Sequence, residues 1–522
     1  MQRPNMILIH IESFDGRQLG FWGDPALKNA TPAIDSIARE GVIFSNSYTS
    51  HPICCPARAN LWTGTYSFRH ESWSNYKGLE PGTRRFQHVL EEEGYVFASK
   101  QGGIGKHDYL SGHHSVKGRV GDWTGPVNIK LPFWKGAFPK VIPAKTLFFT
   151  NKTKMMDWNS LRKAKRFLKG QARNGAGKRT NPFFLYFSLV LPHPPYRTHE
   201  NRLKNIDIDA ISLPKAENYR HPVIEFQKTL KNWPHGFDAN TVKRARGVYY
   251  AMISEADAII KELVHTLKDL KIYDDTYLII TADHGDNQLE HGQSLKSNMF
   301  ESAAKVPLII RGPGLERGKI CHDPVDTTDI FPTLLDFTSI PKENLKERYN
   351  LDFDLDGESL FPLCVADPSK KTGKRTKDYA FSMYTGVGTN TSQFMLHQGD
   401  WKYWAFPGYE PLLFNIARDP DEVHDFAGDH PEIVVKMDAK LRSIVDYEAV
   451  HLRHVEYCRQ ALNSFEQQCN RGEISFHKGK HLYLQVKFDD IFKMFYKGWG
   501  DEHAARLRQF MVGAEKNASK HG

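Results

Sequence analysis

Cysteine is scarce in this chain: there are six among 522 residues, and none stands at the paired spacings of a zinc knuckle or a disulfide scaffold. Cys321, Cys364, Cys458 and Cys469 read as isolated structural thiols. Long apolar runs are also missing. No stretch reaches the about 20 residues that a membrane-crossing helix needs, so no membrane span is expected. The N-terminus lacks the pattern of a signal peptide, because the short apolar run from Met6 to Ile11 is interrupted by His10 and leads straight into polar residues. As written, the chain is expected in the cytoplasm by default. Sequons at Asn29, Asn151, Asn390 and Asn517 matter only in a secretory compartment.

Acidic side chains are outnumbered, 61 Asp and Glu against 70 Lys and Arg, which leaves a formal charge of +9. That excess favours an anionic partner (nucleic acid, acidic lipid or a sulfated polysaccharide) without choosing among them. Nucleic acid has only the net charge behind it, and none is expected. The densest basic stretch, Arg162, Lys163, Lys165, Arg166, Lys169, Arg173, Lys178 and Arg179, reads as the solvated face of a helix that ends in a Gly-rich turn. Hydrophobic content of 40% and charged content of 25% suit a large globular enzyme with more than one structural unit.

Short apolar runs rich in β-branched and aromatic residues alternate with helical patterns, which predicts an α/β fold with a large, mostly parallel sheet flanked by helices. Met6 to Ile11 reads as the first strand. Thr31, Pro32 and Gly41 bracket a helix, and Val42 to Tyr48 resumes as strand. Phe86 to Glu93 is helical up to Gly94, then Tyr95 to Ser99 is strand-like and enters a Gly-rich loop holding Lys106. Phe183 to Val190 and Tyr277 to Thr281 are further strands, and a long amphipathic helix from about Val242 to Lys268 precedes the second. Beyond about residue 375, Gln393 to Leu396, Trp401 to Ala405 and Leu412 to Asn415 predict a small antiparallel sheet, and the charged tail after about Glu448 is helical in pattern. The expected division is residues 1–375 and 376–522.

Four strand ends deliver polar residues: Glu12, Lys106, His193, and Asp283 with His284. The carboxyl ends of parallel strands form the ligand crevice of such a sheet. The run Cys54-Cys55-Pro56-Ala57-Arg58 places Pro56 in the first turn of a helix through Ala59 and Leu61, so Cys54 stands by an N-terminus whose amides favour anions. The competing reading makes Cys54 and Cys55 small buried hydrophobes.

The same run matches C-x-P-x-R, and further segments accompany it: Glu71-Ser72-Trp73-Ser74-Asn75-Tyr76-Lys77-Gly78-Leu79, Gly105-Lys106, Ser111-Gly112-His113-His114-Ser115, Leu191-Pro192-His193-Pro194, and Ala282-Asp283-His284-Gly285. Together they resemble the sulfatase family from about Asn5 to about Phe426, as do Met299-Phe300-Glu301, Asp329-Ile330-Phe331-Pro332-Thr333 and Trp401-Lys402-Tyr403. The resemblance implies an alkaline-phosphatase-like fold and hydrolysis of sulfuric esters on a sulfated carbohydrate or aryl sulfate. It also implies one Ca2+ ion and a formylglycine made from Cys54 by the formylglycine-generating enzyme during maturation. The SGHHS segment and His221-Pro222-Val223 point within the family to 2-O-sulfated glucuronate of glycosaminoglycans. The family is typically lysosomal, secreted or periplasmic, which stands against the cytoplasmic default. The oligomeric state is left open.

By the same resemblance, hydrated formylglycine would attack sulfur with one hydroxyl and expel sulfate with the other. Glu12, Cys54, Asp283 and His284 are the implied metal ligands, with Asp usual in the place of Glu12. Ser13 stands where many sulfatases have a second Asp, for which Asp15 is the expected substitute. Arg58 would hold the nucleophile, Lys106 and Lys296 would bind sulfate oxygens, and His193 would be the general acid. His221 and His114 would contact substrate, with Lys77 and His113 as further contacts. The family's histidine just after the lysine is missing, and either His107 or His114 is its expected replacement. Two rival readings remain: a phosphatase, phosphodiesterase or phosphonate hydrolase of the same fold with Asp283, His284 and His291 around two zinc ions, and a polyanion-binding protein that has lost the chemistry.

Overall fold

The computed structural model describes residues 3–100, 102–106, 121–128, 155–173, 181–230, 238–365, 375–386, 388–473, 475–477, 483–485, 487–496 and 498–513. His107, His113 and His114 lie outside them.

Among the described residues eight strands make the principal sheet: β1 (Asn5–Ile11), β2 (Val42–Phe44), β4 (Val96–Phe97), β5 (Gly103–Ile104), β6 (Phe183–Ser188), β7 (Thr276–Ala282), β8 (Leu308–Arg311) and β9 (Lys319–Cys321). β3 (Ser47–Tyr48) and β10 (Val325–Asp326) form a separate two-stranded ribbon. The order is β4-β6-β1-β7-β8-β2-β9, with β5 also on β6. Only β8 runs against the rest, antiparallel to both β7 and β2. β1 lies in the middle, parallel to β6 and β7, with His10 opposite Ser188 on one side and Thr281 on the other.

Every residue of β1 is buried, as a strand covered on both faces requires. Its alternation divides the core. Ile7, Ile9 and Ile11 join the cluster under the long helix Ala239–Asp269. Met6 and Leu8 join the opposite cluster, with Leu61 and Trp62 of the helix Cys54–Thr63. A period of two therefore sends His10, and Glu12 just beyond the strand, toward the helix that begins at Cys54.

Several expectations are refined. Val42 to Tyr48 is not one strand: the chain breaks at Ser45-Asn46, and its two halves join different sheets. Thr31 makes no side-chain cap on the helix Pro32–Arg39. Its hydroxyl instead accepts from Gly20 N and donates to Asp35, while Asp257 of the long helix accepts from Ala33 N and Ile34 N. Arg162 to Arg173 of the basic run lie on the helix Met155–Arg173, where Arg162, Lys163, Arg166 and Lys169 are exposed and Lys165 pairs with Glu262 at 2.7 Å, while Lys178 and Arg179 lie outside the described residues.

A second sheet is antiparallel, in the order β11 (Ala380–Tyr384), β12 (Gln393–Gln398), β13 (Trp401–Phe406), β14 (Tyr409–Asn415). One face packs on Tyr48, Ile53, Met299 and Phe300, and the other carries the helix Pro431–Ile444. Lys402, fully buried on β13, reaches Glu301 at 2.9 Å and Glu422 at 2.7 Å. The tail continues as the helix Tyr447–Asn470, which packs on Trp123 and shares an apolar cluster with Phe226 and Leu230 of the helix Pro222–Leu230. Among the described residues no helix is long and apolar enough to cross a membrane.

Candidate active site

The sheet order makes β5, β6, β1 and β7 successive neighbours, so Lys106, His193, Glu12 and Asp283-His284 emerge side by side. Lys106 can reach that row because glycines precede it. A Cβ on Gly105 would stand 1.9 Å from Ser188 O, and its φ of +109° is one that side chains avoid. Gly285 does the same after β7, where a Cβ would stand 2.0 Å from Ser302 O.

Cys54 is the first residue of its helix and is 3% exposed. The preceding Ile53 supplies no side-chain cap; Asn75 fills that role by accepting from Cys55 N at 2.8 Å. Cys54 Sγ lies 3.3 Å from His284 Nε2 and 3.4 Å from Glu12 Oε1. Although burial pushes the Cys54 thiol up, Lys296, Lys106 and His284 together hold it well below the usual thiol range.

Arg58, one helical turn on, is wholly buried and engages several partners at once. Its Nη2 donates to Asp283 Oδ2 at 3.1 Å and lies 4.0 Å from Glu12 Oε2. Its Nη1 donates to Tyr186 Oη and Ser188 Oγ, both at 2.9 Å, and to Lys106 O at 3.2 Å. Asp283 Oδ1 accepts from the amides of Ser13 and of its own neighbour His284, each at 2.9 Å. Burial raises the Asp283 carboxyl's pKa, but His284 and Arg58 outweigh burial and hold it below the ordinary carboxylate value. Glu12 goes the other way, raised by burial despite Lys106, whose ammonium is hydrogen-bonded to Oε1.

The donor set fits a cation. Glu12 Oε2 is buried and has no hydrogen-bond partner, a costly state for a carboxylate oxygen. His284 Nδ1 lies 2.8 Å from Gly285 O, which can only accept, so Nδ1 carries a proton and Nε2 is the nitrogen turned toward Cys54. Glu12, Cys54 and His193 form one group of ligand atoms within 4.8 Å of one another, and Cys54, Asp283 and His284 form another.

His193 holds Pro194 O through Nδ1 at 2.7 Å and points Nε2 at Glu12 Oε1, 3.6 Å away, with its side chain 30% exposed. Lys296 sits in the loop after β7, close enough to act on Cys54, His284 and Asp286. That loop is wound through left-handed φ values at Gln288, Leu289, His291, Leu295 and Ser297, a strain of the kind stored at working sites. Asp286 anchors it, accepting from Gln288 N and Leu295 N at 3.1 Å and from Tyr196 Oη at 2.6 Å.

Four expectations meet different surroundings. Asp15 does not reach the cluster, since Arg17 binds both of its oxygens. His221 bonds Glu410 O at 2.9 Å, accepts from Val223 N and lies against Phe406, which joins its helix to the second sheet. His291 pairs with Glu217 at 2.8 Å and stacks on Phe300, so the histidine invoked for a second zinc is engaged elsewhere. Lys77 pairs with Glu80. Sequence reasoning missed Tyr186, Ser188 and Asn75, because their roles depend on contacts far along the chain. His10 did leave a signal, as the one polar residue in the run from Met6 to Ile11.

Residues 4–340 match the family model described as Sulfatase. The chain belongs to the sulfatase family. Residues 289–446 also match the model for the C-terminal region of N-sulphoglucosamine sulphohydrolase. Arylsulfatase K of Canis lupus familiaris is 34% identical over 491 residues, covering 90% of this chain and 87% of the relative. Arylsulfatase K of Homo sapiens is 34% identical over 493 residues, covering 90% and 87%. Among solved structures, the phosphonate monoester hydrolase of Agrobacterium radiobacter superposes with a TM-score of 0.63 at 23% identity, covering 85% of this chain and 95% of that one. The structure titled as BT1596, a 2-O GAG sulfatase, superposes with 0.58 at 22%, covering 86% and 94%. These two similarities establish the shared fold. Family membership and the relatives make this sulfatase a sulfuric ester hydrolase.

Proposed function

We propose that this sulfatase removes sulfate from a sulfated carbohydrate, by way of formylglycine made from Cys54 and with one Ca2+ ion. The substrate favoured by the likeness to arylsulfatase K and by the SGHHS segment is the 2-O-sulfate of glucuronate in glycosaminoglycans. The observation that carries the reading is the position of Cys54 Sγ, 3.3 Å from His284 and 3.4 Å from Glu12, with Lys106 and Lys296 beside it.

Glu12, Asp283 and His284, with the side chain at position 54, would hold the ion. Two carboxylates suit a hard cation such as calcium. When bound, the ion supplies Lewis-acid stabilisation of charge at the reacting oxygens, and formylglycine supplies a hydroxyl nucleophile. The remaining work falls to the chain's own side chains. Lys106 and Lys296 bind and orient the sulfate oxygens as point charges. Arg58 fixes the side chains at 54 and 283 relative to one another. His193, with Nδ1 tied to Pro194 O, presents Nε2 to the leaving alcohol and gives it a proton.

The test has two parts, both on protein made in a host able to form formylglycine. Mass spectrometry of the tryptic peptide containing residue 54 is expected to show the aldehyde. The same preparation is expected to release sulfate from 2-O-sulfated glucuronides, and to lose that activity in chelator and regain it with Ca2+. An unmodified thiol in folded, active protein would sink the mechanism. Cleavage confined to other sulfate positions would sink the substrate assignment.

A further inference from the structure

Behind the reacting groups runs a buried hydrogen-bond chain that the steps above do not use. Arg58 Nη1 donates to Tyr186 Oη at 2.9 Å, and the same oxygen lies 2.5 Å from His10 Nδ1. His10, Arg58 and Tyr186 are all 0% exposed. A guanidinium can only donate, so the phenol oxygen accepts from Arg58 and keeps one proton to place. We propose that Tyr186 gives this proton to His10 Nδ1, and that His10, acting through Tyr186, is a positioning residue for Arg58.

The geometry makes the dependence directional. Trp62 packs against the Tyr186 ring with centroids 4.9 Å apart, and His10 meets it from β1 at 5.5 Å, so the phenol is fixed from two sides. With Nη1 held by Tyr186 and Ser188, the planar guanidinium has one orientation left for Nη2, and that orientation meets Asp283 Oδ2 at 3.1 Å. A hydrocarbon side chain at position 10 would remove the acceptor that His10 offers the Tyr186 hydroxyl in a fully buried site. The hydroxyl would then turn, and the Arg58 fork would lose one of the contacts that aim it. His10 is no contact of the nucleophile in this structure; beside its electrostatic influence on Asp283, it reaches Arg58 through two hydrogen bonds.

The effect on rate rests on the sulfatase mechanism proposed above, whereas the hydrogen-bond chain itself does not, and the experiment separates the two. Kinetics on 4-nitrophenyl sulfate, normalised to the fraction of converted Cys54, would be compared for His10→Ala, Tyr186→Phe, their double variant and His10→Asn, whose Oδ1 can replace Nδ1 as the acceptor. The expected result is a loss of roughly tenfold in kcat for each of the first two with KM changed less than about twofold, no further loss in the double variant, and recovery to within about threefold in His10→Asn. Losses that multiply in the double variant, or a His10→Asn as slow as His10→Ala, would overturn the proposal. Crystal structures of Tyr186→Phe and His10→Asn give a readout independent of activity: the Arg58 contact to Asp283 is expected to lengthen in the first and persist in the second. Should the wild type hydrolyse no sulfate ester while Arg58 moves as expected, the chemistry falls and the positioning stands. An Arg58 that stays in place in Tyr186→Phe overturns the positioning.

Discussion

Glu12 is buried completely, with Oε1 held by Lys106 and approached by Cys54 and His193, while Oε2 has no hydrogen bond. Lys106 compensates only the first of these oxygens, and a buried carboxylate oxygen with no partner is costly, which is why the residue reads as a ligand rather than as part of the core. His193 differs from it in being partly open to solvent, as a group that must meet a departing alcohol has to be. That difference gives a prediction by leaving group. His193→Ala is expected to lower kcat/KM on an alkyl or sugar sulfate about 100-fold, within the usual range for a general acid, and to lower it far less on 4-nitrophenyl sulfate, whose phenolate leaves unaided. Equal losses on both substrates, measured side by side, would remove His193 from the protonation step.

Elements were legible in the sequence where one periodicity ran long enough. The helix Ala239–Asp269 and strands β1, β6 and β7 stand within a few residues of where the pattern put them. β8 and β9 escaped notice because four and three residues are too few to set a period, and the Val42 to Tyr48 run hid a break that only its pairing with two sheets reveals. The four strand ends with chemistry were readable from residue type and position, while Tyr186 and Ser188 were not, since nothing local marks a strand residue that accepts from an arginine 128 or 130 positions away. The helix Pro32–Arg39 illustrates the same limit: its cap comes from Asp257, 224 positions on. Burial pushes the Asp257 carboxyl up to about 7 although the two amides lower it. The folded state therefore holds a proton that the unfolded chain has released, and stability is fullest below the unfolded value near 3.8 and falls as pH rises toward 7. Asp257→Asn, which can still accept from one amide and does not ionise, is expected to melt increasingly above the wild type from pH 4 to pH 7. Parallel melting curves over that window would refute the assignment.

The second sheet is tied to the short helix Glu301–Ala304 by a fully buried charge. Lys402 lies between Glu301 and Glu422, and Glu301 opens the short helix that follows Phe300. Removing Lys402 takes from Glu422 its paired ammonium and leaves Glu301 to Lys305, so Lys402→Met is expected to cost about 3–5 kcal/mol and to lower the urea midpoint markedly. An unchanged midpoint would mean that the apolar contacts of Trp404 and Phe406 already hold the sheets together. The central place of β1 has a consequence in time. The strand needs β6 on one edge and β7 on the other, and β7 ends at Ala282, 271 residues after Ile11. At synthesis rates of about 5–20 residues per second, the apolar segment Asn5–Ile11 waits roughly 14–54 seconds with at least one edge bare. During that interval its unpaired amides and carbonyls are a template for any other strand, so the segment at the centre of the finished sheet is also the one most exposed to aggregation while the chain is being made.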